Sequence, residues 1–254
     1  AQGAGALWAV TVDVNAEPAR IDLSGLLDLA ADSVDATLAW RALQWPFGAV
    51  PAQVQSPQGS ARLTGALDGW ALTLDAALSA QGQAGELAAR ARGNAGHAWL
   101  DGFTAQVVGG RLDGSGELRW APDFNYAVTA SAKGLNPGLL WPQWPGRIDV
   151  DLTAAGDAGA LDLQLARLGG SLRDRPLGGH GALAWQPRAL RLSDVDLRLG
   201  RATLRASGTV RGAGPPLIGT LNVPAASDLL PGARGRLQAQ ARVSGPGLAH
   251  ASVQ

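Results

Sequence analysis

The stretch LRLSDVDLRLGRATLRASGTVRG, residues 190–212, alternates apolar and polar side chains almost without a break. Successive side chains of a β-strand point to opposite faces of a sheet, so the alternation predicts strands with one apolar and one polar face. The alternation shifts by one residue between Leu192 and Val195, which predicts a β-bulge. Gly200-Arg201 predicts the turn between two antiparallel strands.

The same alternation recurs along most of the chain, for example at residues 111–120 and 148–154. We count roughly seventeen strand-like segments and no segment with a 3.6-residue period long enough for an amphipathic helix. Leu26–Ala31 and Ser227–Leu230 allow a short helical turn. The expected fold is all-β, an elongated and curved antiparallel sheet without long helices.

Three further segments carry turn or loop signals. Ser56-Pro57-Gln58-Gly59 predicts a turn, and Asp68-Gly69 predicts a type I′ hairpin. Residues 173–181 have a looser pattern than the strands around them, and the Pro-rich residues 136–146 predict an irregular interruption.

Composition narrows the classes of function. The 254 residues carry 21 basic and 21 acidic side chains, so no net field would attract nucleic acid. The chain has no Cys, which removes disulfides and thiolate metal sites. It does not begin with Met, and neither a signal-peptide pattern nor a membrane-spanning apolar run is present. We therefore expect an internal fragment of a longer protein.

The residue pattern offers little support for a catalytic site. His97, His180 and His250 are not at ligand spacing from one another, and we interpret them as surface loop residues. Most carboxylates alternate with apolar residues in strands, where we expect solvation or cross-strand pairing with Arg. The sequence predicts no catalytic, metal or cofactor site and no enzyme activity.

A repeated motif ends two of the predicted strands. Residues 118–122, Leu-Arg-Trp-Ala-Pro, recur 65 residues later as Leu-Ala-Trp-Gln-Pro, and residues 38–40 are a partial copy. Gly109-Gly110 and Gly178-Gly179 are interpreted as strand openings before each motif, and Gly169-Gly170 opens an earlier strand. The spacing suggests units of about 1–60, 61–122, 123–187 and 188–254 within one continuous segment, 1–254.

The order of these motifs resembles the middle of TamB proteins, the translocation and assembly module family of the AsmA-like group. Further points of likeness are Leu-Gln-Trp-Pro-Phe at 43–47 with the Ser-Pro-Gln-Gly that follows, and Trp-Pro-Gly before Ile148. The resemblance covers residues 19–212 and is weaker at both ends.

The resemblance implies a U-shaped β-groove, or β-taco, with an apolar interior in the Gram-negative periplasm. Such a groove carries phospholipid acyl chains between the inner and outer membranes and assists outer-membrane protein assembly. The inner-membrane tether and the contacts with an Omp85-family partner would lie outside this chain. We expect no nucleic-acid partner and no cofactor.

The alternation assigns the groove lining. The expected lining residues are Leu63, Leu72, Leu74, Val107, Leu112, Leu118, Val128, Ile148, Val150, Leu152, Leu161, Leu163, Leu197, Leu199, Leu204, Val210, Leu221 and Leu237. Small residues of the same parity favour an open groove: Gly114, Gly116, Ala130, Ala132, Ala202, Ala206, Ala239 and Ala241. Expected at the groove rim or at strand ends are Trp40, Trp45, Trp120, Trp144 and Trp185.

Two other classes of protein fit parts of the pattern. A structural or adhesive β-solenoid of a secreted or autotransporter protein would share the Gly-rich strands, but its interior would be a closed, dry core. A carbohydrate-active β enzyme would need aromatic side chains along a polar cleft and a close pair of acids. The sequence supplies neither of these two features.

Overall fold

The computed structural model describes residues 7–45, 54–66, 68–80, 82–211, 214–228, 232–243 and 251–253. The chain divides into two units, residues 1–124 and 125–254. The described residues form seventeen β-strands and two short 3-10 turns, with no α-helix among them. Phe47 and His250, both named above, lie outside the described residues.

The first unit is an antiparallel meander of eight strands, in which each strand pairs with the next along the chain. Its strands are β1 (Leu7–Ala16), β2 (Ala19–Asp28), β3 (Ser33–Trp45), β4 (Val54–Ala66), β5 (Gly69–Ala80), β6 (Gln83–Gly93), β7 (His97–Val107) and β8 (Gly110–Arg119).

The second unit is a meander of the same kind with nine strands. They are β9 (Asn125–Leu135), β10 (Gly146–Asp157), β11 (Leu161–Leu172), β12 (Arg175–Gln186), β13 (Ala189–Leu199), β14 (Ala202–Val210), β15 (Leu217–Val223), β16 (Leu237–Val243) and β17 (Ala251–Val253). The 3-10 turns are Pro137–Leu139, after β9, and Ala226–Asp228, after β15.

The sequence prediction of an all-β fold of antiparallel strands without long helices is confirmed for the described residues. The β13–β14 hairpin turns at Gly200-Arg201, and its register shifts between Leu192 and Val195, as the alternation predicts. The expected irregular interruption separates β9 from β10. Alternation thus located strands and one bulge because both depend on side-chain parity alone.

The predicted turn at Ser56–Gly59 is wrong. These residues lie inside β4, where the pairing with β5 shifts between Gln55 and Gly59. A bulge leaves room for Pro57, which cannot donate a ladder hydrogen bond. Pro and Gly therefore mark an irregularity within a strand here and not the end of one.

The Asp68-Gly69 dipeptide joins β4 and β5 as predicted, but not as the centre of a type I′ turn. Gly69 is already the first residue of β5 and pairs with Ala66. The dipeptide therefore lies one position too late to supply both central residues of the turn.

Residues 173–181, predicted to be loose, form a tight hairpin and half of β12. Arg173 and Asp174 both have positive φ angles, 53° and 59°, and Leu172 pairs with Arg175 across them. Both central residues of a type I′ turn need such angles, usually supplied by Gly or Asn. This turn could not be predicted from the residue types, because an Arg-Asp pair rarely occupies it.

Two details of the predicted repeat are also wrong. Gly178-Gly179 and Gly169-Gly170 do not open strands but face each other inside β12 and β11. Trp40 lies within β3, which continues to Trp45. The two strand-end motifs themselves are as predicted, since β8 ends at Arg119 and β12 at Gln186.

The two segments that allowed a helical turn have different outcomes. Leu26–Asp28 is the end of β2 and continues the strand, followed by a turn at residues 29–32. In the second segment, Ser227 and Asp228 belong to the 3-10 turn, and Leu229-Leu230 lie outside the described residues.

Buried apolar side chains are few. Among the described residues the buried hydrophobic side chains are Trp40, Ala105, Ala132, Ala202 and Val223. The whole chain exposes 16010 Å², whereas one compact 25.9 kDa protein would expose roughly 10,500 Å² and two compact halves together roughly 12,700 Å². The apolar side chains of these sheets are therefore not enclosed in a core of the usual kind.

Candidate functional site

In the second unit, cross-strand register brings the apolar side chains together on one surface, the unit 2 apolar face. One row crosses seven strands, from β9 to β15: Ala132, Val150, Leu168, Gly179, Leu197, Leu204 and Leu221. A second row of the same parity lies nearer the strand ends and contains Leu177, Leu199, Ala202, Val223 and Leu237. Rows of this kind make the face continuous.

The first unit has an equivalent surface, the unit 1 apolar face. One row crosses all eight strands, from β1 to β8: Val12, Leu23, Leu38, Ala61, Leu74, Ala89, Phe103 and Gly114. The neighbouring row contains Ala36, Leu63, Leu72, Ala91, Leu100 and Gly116. Where a strand carries an extra residue, a bulge takes it up, so the apolar side chains of that strand stay on the same face as those of its neighbours.

Every residue predicted to line a groove lies on one of these two faces. Leu63, Leu72, Leu74, Val107, Leu112 and Leu118 lie on the unit 1 face. The other twelve, from Val128 to Leu237, lie on the unit 2 face. Contact of these residues with lipid stays a prediction.

Within each unit, the main contacts between strands are those between neighbours in the meander. In β5 and β6 the apolar positions are half-buried while the alternate positions are exposed. Leu118 is 39% exposed and Leu204 is 38% exposed. The apolar faces are thus partly shielded by their own side chains and remain accessible.

The small residues that were expected to leave room for a ligand do not do so at every position of the unit 2 apolar face. Ala132 and Ala202, expected to leave room for a ligand, are buried. Ala202 lies next to Val223, which is only 1% exposed and precedes the 3-10 turn. That corner of the unit 2 face is closed, whereas Ala206, Ala239 and Ala241 are not buried.

Trp40 has a structural role. It is 8% exposed, and its ring lies over Gly59 of the next strand so closely that a Cβ there would overlap it. The Trp40 indole donates to Ser56 Oγ at 2.8 Å, and that hydroxyl donates to the carbonyl of Ala77 at 2.8 Å. These two hydrogen bonds connect Trp40 of β3, Ser56 in the bulge of β4 and Ala77 of β5.

Two further aromatic residues over glycine were missed from the sequence. Trp70 lies over Gly93, its cross-strand partner, and donates to the carbonyl of Asn94 at 3.2 Å. Tyr126 lies over its partner Gly156 in the second unit. The turn near Gly82 sets the register that places Trp70 opposite Gly93, but the sequence alone does not show that register.

The remaining predicted rim tryptophans differ in their surroundings. Trp120 follows β8, is exposed, and donates through its indole to the carbonyl of Ala95 at 2.7 Å. Trp185 is exposed near the end of β12. Trp144 is half-buried, with the guanidinium of Arg173 5.3 Å from its ring centroid. Trp45 ends β3, and its side chain lies outside the described part of the structure.

On the opposite, polar faces, Arg and Asp pair across strands as predicted. The pairs include Arg62–Asp35, Arg92–Asp101 and Arg167–Asp149. Asp196 accepts hydrogen bonds from Arg198 and Arg205, and these bonds, the first above all, hold the pKa of its carboxyl well below its usual range. The hydrogen bond from Arg62 likewise lowers the pKa of Asp35. These ion pairs agree with the predicted pairing of Arg with Asp on the polar faces.

Two described histidines are not loop residues, contrary to the sequence interpretation. His97 begins β7, with Nε2 3.3 Å from Glu117 Oε2 but without hydrogen-bond geometry. His180 lies within β12, with Nε2 3.2 Å from Asp194 Oδ2. No group of three or more potential metal ligands is found in the described part of the chain.

Open hollows occur on the polar face of the first unit. Two of them adjoin and share Asp75, Ala88 and Thr104. Small side chains such as Ala77 and Gly102 leave room there between charged neighbours.

Comparison with protein families assigns the chain. A family model described as TamB, N-terminal domain, matches residues 2–251. The chain belongs to the TamB family. The resemblance noted from the motifs is thereby confirmed, although those motifs pointed to the middle of a TamB protein and the matching description is of the N-terminal domain.

TamB proteins belong to the cell envelope, with a general role in lipid transport and outer-membrane protein assembly. Within the described residues, no helix combines the length and hydropathy that a membrane span requires. No solved structure matches the chain significantly. Its two open apolar faces are therefore interpreted from their own geometry.

Proposed function

We propose that this chain is a section of a periplasmic hydrophobic conduit that moves phospholipid between the inner and outer membranes. The acyl chains lie against the apolar faces and the section acts by passive shielding, without catalytic residues. We also propose a linked role in outer-membrane protein assembly, with an Omp85-family partner bound through other regions; membership of the TamB family supports the assembly role. The tether to the inner membrane is likewise proposed to lie outside this chain.

One observation carries the proposal: in each unit an apolar face runs in register from strand to strand, and large apolar side chains on it remain exposed. Monomeric soluble proteins rarely expose an apolar patch larger than a few hundred Å² unless it binds something. The closed, dry core of a β-solenoid would bury Leu118 and Leu204, and both are more than one-third exposed. An occupant of the face explains these exposures.

The energetics fit an acyl chain. Shielding a palmitoyl-length chain from water is favourable by about 10 kcal/mol, at about 0.8 kcal/mol per methylene group. Covering the half-exposed Leu and Val side chains adds a similar benefit on the protein side. A continuous apolar row, such as the one from Val150 to Leu221, shields an acyl chain at successive positions and needs no single tight binding site.

The test compares two neighbouring residues at the end of β8. Leu118 lies on the unit 1 apolar face and Arg119 alternates with it on the polar face. We expect Leu118→Asp to remove most of the phospholipid that co-purifies with the chain, as measured by extraction and mass spectrometry, while Arg119→Asp retains it. Because Leu118 is already 39% exposed, we expect both variants to fold. Equal retention by both variants would contradict the proposal.

A further inference from the structure

One histidine of the first unit is enclosed and incompletely bonded. His97 begins β7, and its side chain is only 13% exposed. Its Nε2 atom is buried and has no hydrogen-bond partner among the described residues, which is unfavourable for a polar atom. The side chain of His180 is 49% exposed, so water can bond to its ring. His97 is therefore the described histidine whose environment leaves a bond to be made.

A carboxylate of the next strand faces this nitrogen. Glu117 Oε2 of β8 lies 3.3 Å from His97 Nε2, within ion-pair distance but without hydrogen-bond geometry. Both side chains lie on the polar face of the first unit, where His97 pairs with Arg119 and Trp99 pairs with Glu117. A protonated imidazole donates from both ring nitrogens and forms a charge-assisted hydrogen bond with a carboxylate. A proton on His97 would thus complete its bonding.

The Trp99 ring packs against the imidazole. Their ring centroids are 3.8 Å apart, with 31° between the planes. The guanidinium of Arg92, on β6, lies 5.3 Å from the centroid of the Trp99 ring, and its Nε donates to Asp101 at 2.9 Å. Because the face of an aromatic ring attracts cations, this contact is compatible with a charged imidazole. Side chains of β6, β7 and β8 are thereby joined on the polar face.

The charges near His97 determine whether a proton is favoured there. Besides Glu117, the charged residues on the strands and connections next to His97 are Arg92 on β6, Asp101 on β7, Arg119 on β8 and Asp123 after β8. Arg92 and Asp101 form an ion pair with each other. Arg119 is exposed, so water and salt screen its repulsion. Glu117, at 3.3 Å, therefore favours the protonated imidazole.

We propose that His97 and Glu117 form a proton-dependent clasp between β7 and β8, closed when His97 carries a proton. β8 is the last strand of the first meander, and Glu117 lies near its end, next to Leu118 of the unit 1 apolar face. The closed clasp holds the end of β8 on β7, and loss of the proton lets this end open more readily. This role goes beyond the proposed function, because it does not depend on what occupies the apolar face.

The test is a double-mutant cycle in the complete chain. The free energies of unfolding of the unsubstituted chain, His97→Gln, Glu117→Gln and the double variant are measured in urea at about pH 5.5 and about pH 8.5, on either side of the usual histidine titration. We expect a coupling of about fivefold in the unfolding equilibrium constant at acidic pH and less than about twofold at alkaline pH. The sign follows because the charged imidazole gains its partner only in the folded state, so the stabilisation is present at low pH and lost as the pH rises.

Equal coupling at the two pH values would show a packing contact that needs no proton, and no coupling at either would show no contact. Both results would overturn the inference. The cycle of His180→Gln and Asp194→Asn is the control, since those side chains are 49% and 88% exposed. Its coupling should stay below about twofold at both pH values. Coupling as strong as that of His97 with Glu117 would mean that enclosure is irrelevant, and would also overturn the inference.

Hydrogen exchange locates the effect in the fold. The exchange rates of the β8 amides, corrected for the intrinsic rate at each pH, are compared between Glu117→Gln and the unsubstituted chain. We expect exchange in β8 to be about fivefold faster in the variant at about pH 5.5 and equal at about pH 8.5, with β13 unchanged at both. Loss of protection to the same extent in β8 and β13 would show general destabilisation and overturn the inference.

Discussion

At the scale of single residues, a recurring close contact in these sheets is an aromatic ring over a glycine of the adjacent strand. Trp40 over Gly59 and Trp70 over Gly93 occur in the first unit, and Tyr126 over Gly156 in the second. A ring in this position shields backbone that the glycine leaves bare. The pairs stabilise sheets in which few hydrophobic side chains are buried.

We expect Gly59→Ala to destabilise the chain by about 2 kcal/mol, because its Cβ would overlap the Trp40 ring and displace the indole from Ser56. Equilibrium unfolding in urea measures the change. Gly69→Ala is the matched control, since nothing lies within 4 Å of a Cβ there, and its effect should stay within about 0.5 kcal/mol. Equal losses in the two variants would contradict the role of the ring.

A second prediction concerns the pH dependence of stability. Asp196 accepts from Arg198 Nε at 2.8 Å and from Arg205 Nε at 3.0 Å, so the pKa of its carboxyl is lowered in the folded state. A lowered folded-state pKa adds stability that is complete above the unfolded value of about 3.9 and is lost as the pH falls towards the folded value. Asp196→Asn should therefore be less stable than the unsubstituted chain at pH 7, and the difference should shrink below about pH 4.

Thermal unfolding at several pH values measures this difference. Asp162→Asn is the control, because among the described residues Asp162 forms no ion pair. A difference for Asp196→Asn that stays constant from neutral to acidic pH would refute the assignment. So would an equal change with pH in the control.

The sequence predicted single-residue features unevenly. The parity of Leu118, Arg119 and Leu204 follows from alternation alone, and the structure agrees. The glycine under each ring depends on which residues face each other across strands, and register is fixed by turns and bulges. The buried state of Ala132 and Ala202 likewise depends on neighbours that are distant in sequence.

At the scale of strands, bulges keep the apolar face continuous. The extra residue of β13 is accommodated at Asp194, which has a positive φ angle of 48°. Because the bulge uses two residues where β14 uses one, Leu192 and Val195 remain on the same face. The alternation in the sequence revealed this bulge because it showed the change of parity directly.

Two single-residue deletions in β13 test the role of the bulge. Deletion of Asp194 restores regular alternation from Leu192 to Val195, so we expect a folded chain with a midpoint of thermal unfolding within a few degrees of the original. Deletion of Val195 places Asp194 on the apolar face, and we expect it to lower the midpoint by at least about 5 °C. Circular dichroism on heating measures both, and equal midpoints would contradict the account.

The Ser56–Gly59 bulge escaped prediction for a physical reason. Pro and Gly suit tight turns and strand irregularities alike, because both tolerate a missing ladder hydrogen bond. What indicates a bulge rather than a turn is the hydrogen bond that the Trp40 indole of β3 donates to Ser56 of β4. That contact joins residues 16 positions apart in the chain.

At the scale of the whole molecule, alternation predicted the fold class but not what covers the apolar side. A strand with one apolar face serves equally in a two-layer sandwich and in a single layer that binds a ligand. The exposure of large apolar side chains such as Leu118 and Leu204 favours the second arrangement. Membership of the TamB family then supports lipid as the occupant.

The most direct test of that claim is site-specific photo-crosslinking in the cell envelope. A photoreactive amino acid replaces Leu118, Val150 or Leu204 on the apolar faces, and Arg119, Asp151 or Arg205 as their neighbours on the polar faces. The account predicts phospholipid adducts, identified by mass spectrometry, at the first three positions and not at the second three. Adducts at both sets, or a folded chain free of lipid at all six, would contradict it.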